Sequence, residues 1–328
     1  MNDRCVSLLE NYELEVLRTW KGRGAILCET NQGTMILKEY AGHAEKCAFQ
    51  DAVLSMIRNN GFFQIESIIR NKDGEILTVD QDEVCYVLKT YYEGKECNVR
   101  DDRECVIAME TLARLHKASQ INQELPVAGK VFTVNQEFEK HNKELKRARK
   151  FLKEKSQKTD FEIYLLKCYE YFLNLALKVS EEFNACNTEI GESKATIICH
   201  GDFQHHNLIL EKEKMNVVNF EKCVQDSPAR DICLFMRKLL EKNNWQKEAG
   251  FELLAAYEKE NRLHREDYIQ LYYRLAYPEK FWKIVNFYYN SGKAWIPGKN
   301  LEKLLKINDQ EPQKIEFLQN YKKKYDIM

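Results

Sequence analysis

The segment from Ile198 to Asn207 constrains this chain more than any other. An apolar run ends at Cys199 and is followed by His200-Gly201-Asp202-Phe203-Gln204-His205-His206-Asn207, a polar loop with His, Asp and Asn at fixed spacing. The H-x-D-x-x-x-x-N layout suits phosphoryl transfer, with the Asp orienting an acceptor hydroxyl and the Asn holding Mg²⁺. A second metal ligand, normally Asp, is expected in Val217-Val218-Asn219-Phe220-Glu221, and there the chain carries Asn219. The sequence thus predicts a phosphotransferase plan with one charge missing from its metal site.

Composition sets outer bounds. A chain of 328 residues is long enough for two lobes. At 44% apolar and 31% charged, with 5 prolines, it reads as globular and helix-rich. A formal net charge of -1 gives no bulk attraction to nucleic acid or an anionic membrane. No apolar run reaches the roughly 18 to 20 residues of a membrane span, and Met1-Asn2-Asp3-Arg4-Cys5 does not read as a secretory signal. The 11 cysteines show no C-x-x-C and no zinc spacing, so reduced, buried thiols are expected.

The first ninety residues read as strands with one helix. Glu13 to Trp20, Ala25 to Thr30 and Thr34 to Lys38 are strand candidates, separated by Lys21-Gly22-Arg23-Gly24 and Asn31-Gln32-Gly33. Phe49, Val53, Met56 and Ile57 mark a helix ending near Gly61. Ile65 to Arg70 and Ile76 to Val79, around Asn71-Lys72-Asp73-Gly74, are expected to form a hairpin beside the apolar strand Val84 to Leu88. Beyond Gly94 the pattern turns helical, with stripes at Cys105, Ala108, Met109, Leu112, Leu115 and His116 and from Phe161 to Phe172. Strands return between Ala195 and Cys223, and Asp231 opens a further helix. The basic run from His141 to Lys150 lacks interleaved aromatics and reads as a solvated helix face, as does Lys322-Lys323-Lys324.

Phosphoryl transfer depends on positioning and charge neutralisation. Lys38, at the end of a strand and before a helix, has the right place for a phosphate lysine. For its carboxylate partner the following helix offers Glu45 and Asp51, while the residue nearest the expected position is Gln50. Asp202 is the candidate base, with His200 beside it as a second catalytic candidate. Asn207 and Asn219 are the candidate metal ligands. The adjacent His205 and His206 point apart and lack a third ligand.

With these segments the chain resembles the aminoglycoside phosphotransferase and choline kinase-like superfamily. Within it the likeness is to CotS-type spore coat proteins. It is carried by Val87-Leu88-Lys89 with Glu93 to Cys97, by Leu112 to Ser119, by His200 to Asn207 and by Asn219 to Cys223. Asp231 to Trp245, Tyr277 to Ile284 and Tyr288 to Pro297 complete it. The resemblance implies a bilobed kinase-like α+β fold, with a nucleotide-type lobe over residues 1–92 and a mainly helical lobe over 93–328. It implies that Lys38 holds phosphates and is fixed by a helix carboxylate such as Glu45, that the stretch including Lys89 and Tyr91 forms the hinge facing an adenine, and that Asp202 is the base. ATP and Mg²⁺ are the implied cofactors, with Asn207 and Asn219 as metal ligands.

Asn219 is the departure from that pattern. Mg²⁺ prefers carboxylate oxygens, and an amide oxygen lacks their charge. Glu221 reaches the same place if the chain stays extended there, because residues i and i+2 share a face. Two readings follow. One is a coat protein made in the mother-cell cytoplasm and assembled with other coat proteins, its catalysis weak or vestigial. The other is an active ATP-dependent phosphotransferase acting on a small hydroxyl substrate. Neither implies a nucleic-acid or membrane partner.

Overall fold

A computed structural model describes residues 4–22, 24–127, 132–190, 197–290 and 297–327. Arg23 of the first expected turn, Ala195, Ser291 to Ile296 of the C-terminal motif and the first three residues lie outside the described residues. The chain divides into two compact units, one from residues 1–131, 196–226 and 255–262 and the other from 132–195, 227–254 and 263–328.

In the first unit, β1 (Val16–Gly22), β2 (Ala25–Thr30) and β3 (Gly33–Glu39) form an antiparallel meander, and β3 pairs next with β6 (Cys85–Thr90). The register sets Ile36 opposite Lys89 and Lys38 opposite Val87. Because side chains alternate across the pleat, Lys38 and Lys89 share one face of the sheet. The opposite face is apolar: Met35, Leu37, Tyr86 and Leu88 pack with Leu8, Leu9 and Tyr12 from the turn after α1 (Arg4–Ser7). Helix α2 (Ala44–Asn59) buries the expected stripe of Phe49, Val53, Met56 and Ile57, and Gly61 at φ 89° ends it.

The expected hairpin before β6 is not formed. β4 (Ile68–Ile69) and β5 (Thr78–Val79) both pair with β6, one after the other along its second edge. The Asn71 side chain accepts from the N–H groups of Asp73 and Glu75, so the turn closes on itself, and each short strand adds to the apolar β6 instead.

A second small sheet has the order β10-β9-β7, from β7 (Lys95–Glu96), β9 (Leu208–Glu211) and β10 (Lys214–Val217). β8 (Ile197–Cys199) pairs with β11 (Val224–Asp226). The polar loop of the signature motif is therefore held between β8 and β9. Helix α3 (Asp102–Ala118) begins where the Asp101 carboxylate accepts from the N–H groups of Arg103 and Glu104, and it buries the expected stripe from Cys105 to His116.

The second unit is helical: α4 (Val134–Glu154), α5 (Asp160–Ile190), α6 (Ala229–Lys242), α7 (Lys247–Glu260), α8 (Arg265–Ala276), α9 (Glu279–Asn290), α10 (Pro297–Asp309) and α11 (Glu311–Lys324), the last residues of α7 counting with the first unit. Its core stacks Phe138 on Tyr277 at 4.2 Å and Phe172 on Phe281 at 4.7 Å. On α4, Leu145 and Ala148 are buried while Lys143, Lys146, Arg147 and Lys150 face solvent, a solvated basic face as expected. Among the described residues no helix is long and apolar enough to cross a membrane. The described cysteines are free thiols, and all but Cys85 and Cys186 are buried.

Candidate active site

The site residues all belong to the first unit. The motif loop starts with Gly201 at φ 76°, and a Cβ there would run into the Lys222 carbonyl. Only glycine meets both demands. His200 is fully buried; its Nε2–H donates to the Val218 carbonyl at 2.9 Å, and its Nδ1 accepts from the Asp202 N–H at 3.1 Å. With one ring nitrogen donating and the other accepting, the imidazole is held by backbone on both sides. It fixes the shape of the loop. The expectation that His200 is catalytic is corrected here, since both nitrogens are engaged by backbone and neither is available to a reacting atom.

Asp202 is reached by two side chains. Lys222 Nζ donates to one carboxylate oxygen at 2.8 Å, and Gln204 Nε2 donates to the other at 2.6 Å. Burial alone would raise the Asp202 carboxyl, but hydrogen bonds from Lys222 and Gln204 outweigh it and hold the group below its usual range. Asp202 is thus an ionised acceptor. The Lys222 side chain is 64% exposed, so it can swing away from Asp202.

The positions expected to hold a metal have a different character. Asn219 lies in the left-handed region at φ 67°, which Asn tolerates better than most residues, and Phe220–Lys222 form a 3-10 turn. The chain is therefore not extended past Asn219. Glu221 reaches the site through this turn, not by sharing a strand face as the sequence suggested. Asn219 Oδ1 accepts from Lys38 Nζ at 3.2 Å, and Asn219 Nδ2 donates to Asn207 Oδ1 at 2.9 Å. The ammonium settles how the amide is turned, because only its oxygen can accept. Asn207 Nδ2 in turn donates to the Asp202 carbonyl at 2.8 Å.

Behind this pair is an ionic cluster that sequence reasoning missed, buried at Lys89 and Glu66 and partly exposed at Glu221. Lys89 is 1% exposed; its Nζ meets Glu221 Oε1 at 2.7 Å and Glu66 Oε1 at 3.1 Å. Glu66 also accepts from Gln50 Nε2 at 3.2 Å and from the Phe220 N–H at 3.0 Å. Lys38 Nζ is 3.9 Å from Glu221. Burial pulls the Lys89 ammonium downward, but Glu66 and Glu221 more than compensate and raise its pKa. For Glu221, burial works upward and the charge of Lys89 wins, leaving the carboxyl below its usual range. The signal was available: Lys89 directly continues the apolar strand from Val84 to Leu88 and Glu66 lies between Ile65 and Ile68-Ile69, and a buried charge requires a partner.

Other expected roles can now be placed. Glu45 is exposed in the first turn of α2, and the partners of Lys38 are Asn219 and Glu221 instead. Asp51 pairs with Arg70, and Gln50 with Glu66. Tyr91, in the expected hinge, donates its N–H to the Thr34 carbonyl at 3.0 Å and is 38% exposed. Lys89 contributes a buried side chain to the site as well as backbone to β6.

The donor set does not fit Mg²⁺. Asn207 and Asn219 offer amide oxygens, one already hydrogen-bonded by an amide and the other by an ammonium. The carboxylates of Glu66, Glu221 and Asp202 all face lysines. A hard divalent cation would meet no carboxylate without a resident counter-charge.

The sequence profile of the family described as "Spore coat putative kinase YutH" matches residues 6–321. No curated protein matches the chain by sequence. Among solved structures, an aminoglycoside phosphotransferase from Alicyclobacillus acidocaldarius aligns at TM-score 0.84 and 16% identity, over 98% of this chain and 96% of that one. Spectinomycin phosphotransferase, solved with ADP and spectinomycin, aligns at TM-score 0.66 and 11% identity, over 93% and 92%. An amicoumacin kinase, solved with AMP-PNP and Ca²⁺, aligns at TM-score 0.58 and 13% identity, over 98% and 94%. These likenesses show a kinase-like α+β phosphotransferase fold, the fold class expected from the sequence.

Proposed function

The chain belongs to the YutH family of spore coat proteins, and from that premise we propose that its kinase-like body serves coat assembly, with phosphotransfer weak or vestigial. One observation carries this reading. The Asn219 amide donates to Asn207, so an N–H joins the two residues between which a kinase holds its metal ion. In this reading the protein is made in the mother-cell cytoplasm and its partners are other coat proteins. Residues 1–92 are the remnant of a nucleotide-binding lobe, and residues 93–328 carry the motif loop.

A second reading is supported by the other half of the site. Asp202 is ionised and held by a loop whose His200 and Gly201 meet their structural requirements. In that reading ATP is the phosphoryl donor and a small molecule with a hydroxyl group the acceptor.

ATP turnover with a panel of hydroxyl acceptors separates the two. Loss of about 3–5 kcal/mol of transition-state stabilisation slows turnover by about 10² to 10⁴. The wild type is expected to fall below Asn219→Asp by a factor in that range when Mg²⁺ is present. Measurable wild-type turnover of an acceptor, equal to that of Asn219→Asp, would overturn the vestigial reading.

A further inference from the structure

We infer that Lys89 is a built-in counter-cation that bars a divalent ion from Glu221, a second lock on the site in addition to Asn219. The inference rests on the reading above that Asn207, Asn219 and Glu221 stand at the metal positions.

Three observations carry it. First, the ammonium is in direct contact with the Glu221 carboxylate at 2.7 Å, so a metal ion at that oxygen would meet a positive charge at hydrogen-bond distance. Second, Lys89 cannot swing aside. It is 1% exposed, on a strand paired on both edges, and its other contact is the buried Glu66. Third, Glu66 is fastened to the metal turn itself, accepting from the Phe220 N–H, so Lys89 and Glu66 together hold the turn that presents Asn219 and Glu221. Lys222 makes a contact of similar length with Asp202 but differs on the other two counts, being exposed and bound to a single carboxylate.

The consequence is that restoring Asp at position 219 only partly restores a cation site. Glu221 keeps a cation at hydrogen-bond distance until Lys89 is removed, after which Lys38 at 3.9 Å is the ammonium nearest to it among the described residues. A charge that β6 buries beside the hinge therefore sets the cation dependence of the turn.

Mn²⁺ binding, followed by electron paramagnetic resonance on the whole protein without nucleotide, tests this independently of turnover. The series is wild type, Asn219→Asp, Asn219→Asp/Lys89→Met and Asn219→Asp/Lys89→Met/Glu66→Gln. The last variant removes the buried Glu66 carboxylate and guards against loss of folding in the one before it. The inference expects little binding to wild type, weak binding to Asn219→Asp, and at least tenfold tighter binding once Lys89 is replaced. Equal Mn²⁺ affinity with and without Lys89 would overturn it, as would no binding to the folded triple variant; the Asn219 reading survives both outcomes. Tight Mn²⁺ binding to wild type that Asn219→Ala abolishes would overturn both.

Discussion

The loop from His200 to Asn207 and the turn from Asn219 to Lys222 are tied together by His200 to the Val218 carbonyl, Val218 to the Asn207 carbonyl and Asn219 to Asn207. They nevertheless hold their carboxylates differently. On the loop, Asp202 meets an exposed lysine, a contact that solvent screens and a ligand can displace. On the turn, Glu221 meets a lysine locked inside the sheet face, a contact that folding itself imposes. The loop thus holds a carboxylate whose partner is free to leave, while the turn has its charge balanced internally. A phosphotransferase needs both halves open.

The largest effect should come from breaking the internal balance. Lys89→Met leaves the buried Glu66 without its cation and Glu221 with only Lys38, at 3.9 Å, and losing one partner of a buried pair costs about 3–5 kcal/mol. Urea denaturation should show that loss, and Lys89→Met/Glu66→Gln should recover part of it. A loss below about 1 kcal/mol would place the cluster in wet surroundings and blur the contrast between the halves.

Gly201→Ala comes next. It forces a Cβ at φ 76° against the Lys222 carbonyl, and the backbone conformation alone costs about 1–3 kcal/mol. The strain lies where the loop meets the turn, so thermal unfolding should fall even though no charge changes. Unchanged stability would show that the two segments are not held as closely as described.

The smallest effect belongs to Lys222→Met. Exposure of the lysine limits its worth at neutral pH to less than about 1 kcal/mol. Since the Asp202 carboxyl is held below its usual range, its contribution is present above about pH 4 and is lost as pH falls through the folded value. The stability curves of wild type and Lys222→Met should therefore converge in acid. A gap that widens in acid would mean that Lys222 does not stabilise the carboxylate.

The same contrast describes what the sequence made legible. The motif loop depends on local spacing, so Asp202, Asn207 and the strands around them could be read directly. The meander to Lys38 and the stripes of α2 and α3 are periodic and were equally readable. The ionic cluster joins Glu66, Lys89 and Glu221 across long stretches of chain, and no local period links them. Glu45 was an attractive partner for Lys38 because it follows in the next helix, but it falls on the solvent side of α2. The hairpin before β6 failed for a related reason: a good turn does not decide which edge its two strands join.

The most direct test of the central claim is thermal unfolding of the wild-type protein with ATP, with and without Mg²⁺, beside Asn219→Asp. If the Asn219 amide and Lys89 fill the roles of the metal, any ATP-induced shift in wild type is the same with and without Mg²⁺, and Asn219→Asp acquires a Mg²⁺-dependent increment. A strong Mg²⁺-dependent shift in the wild type would contradict the account.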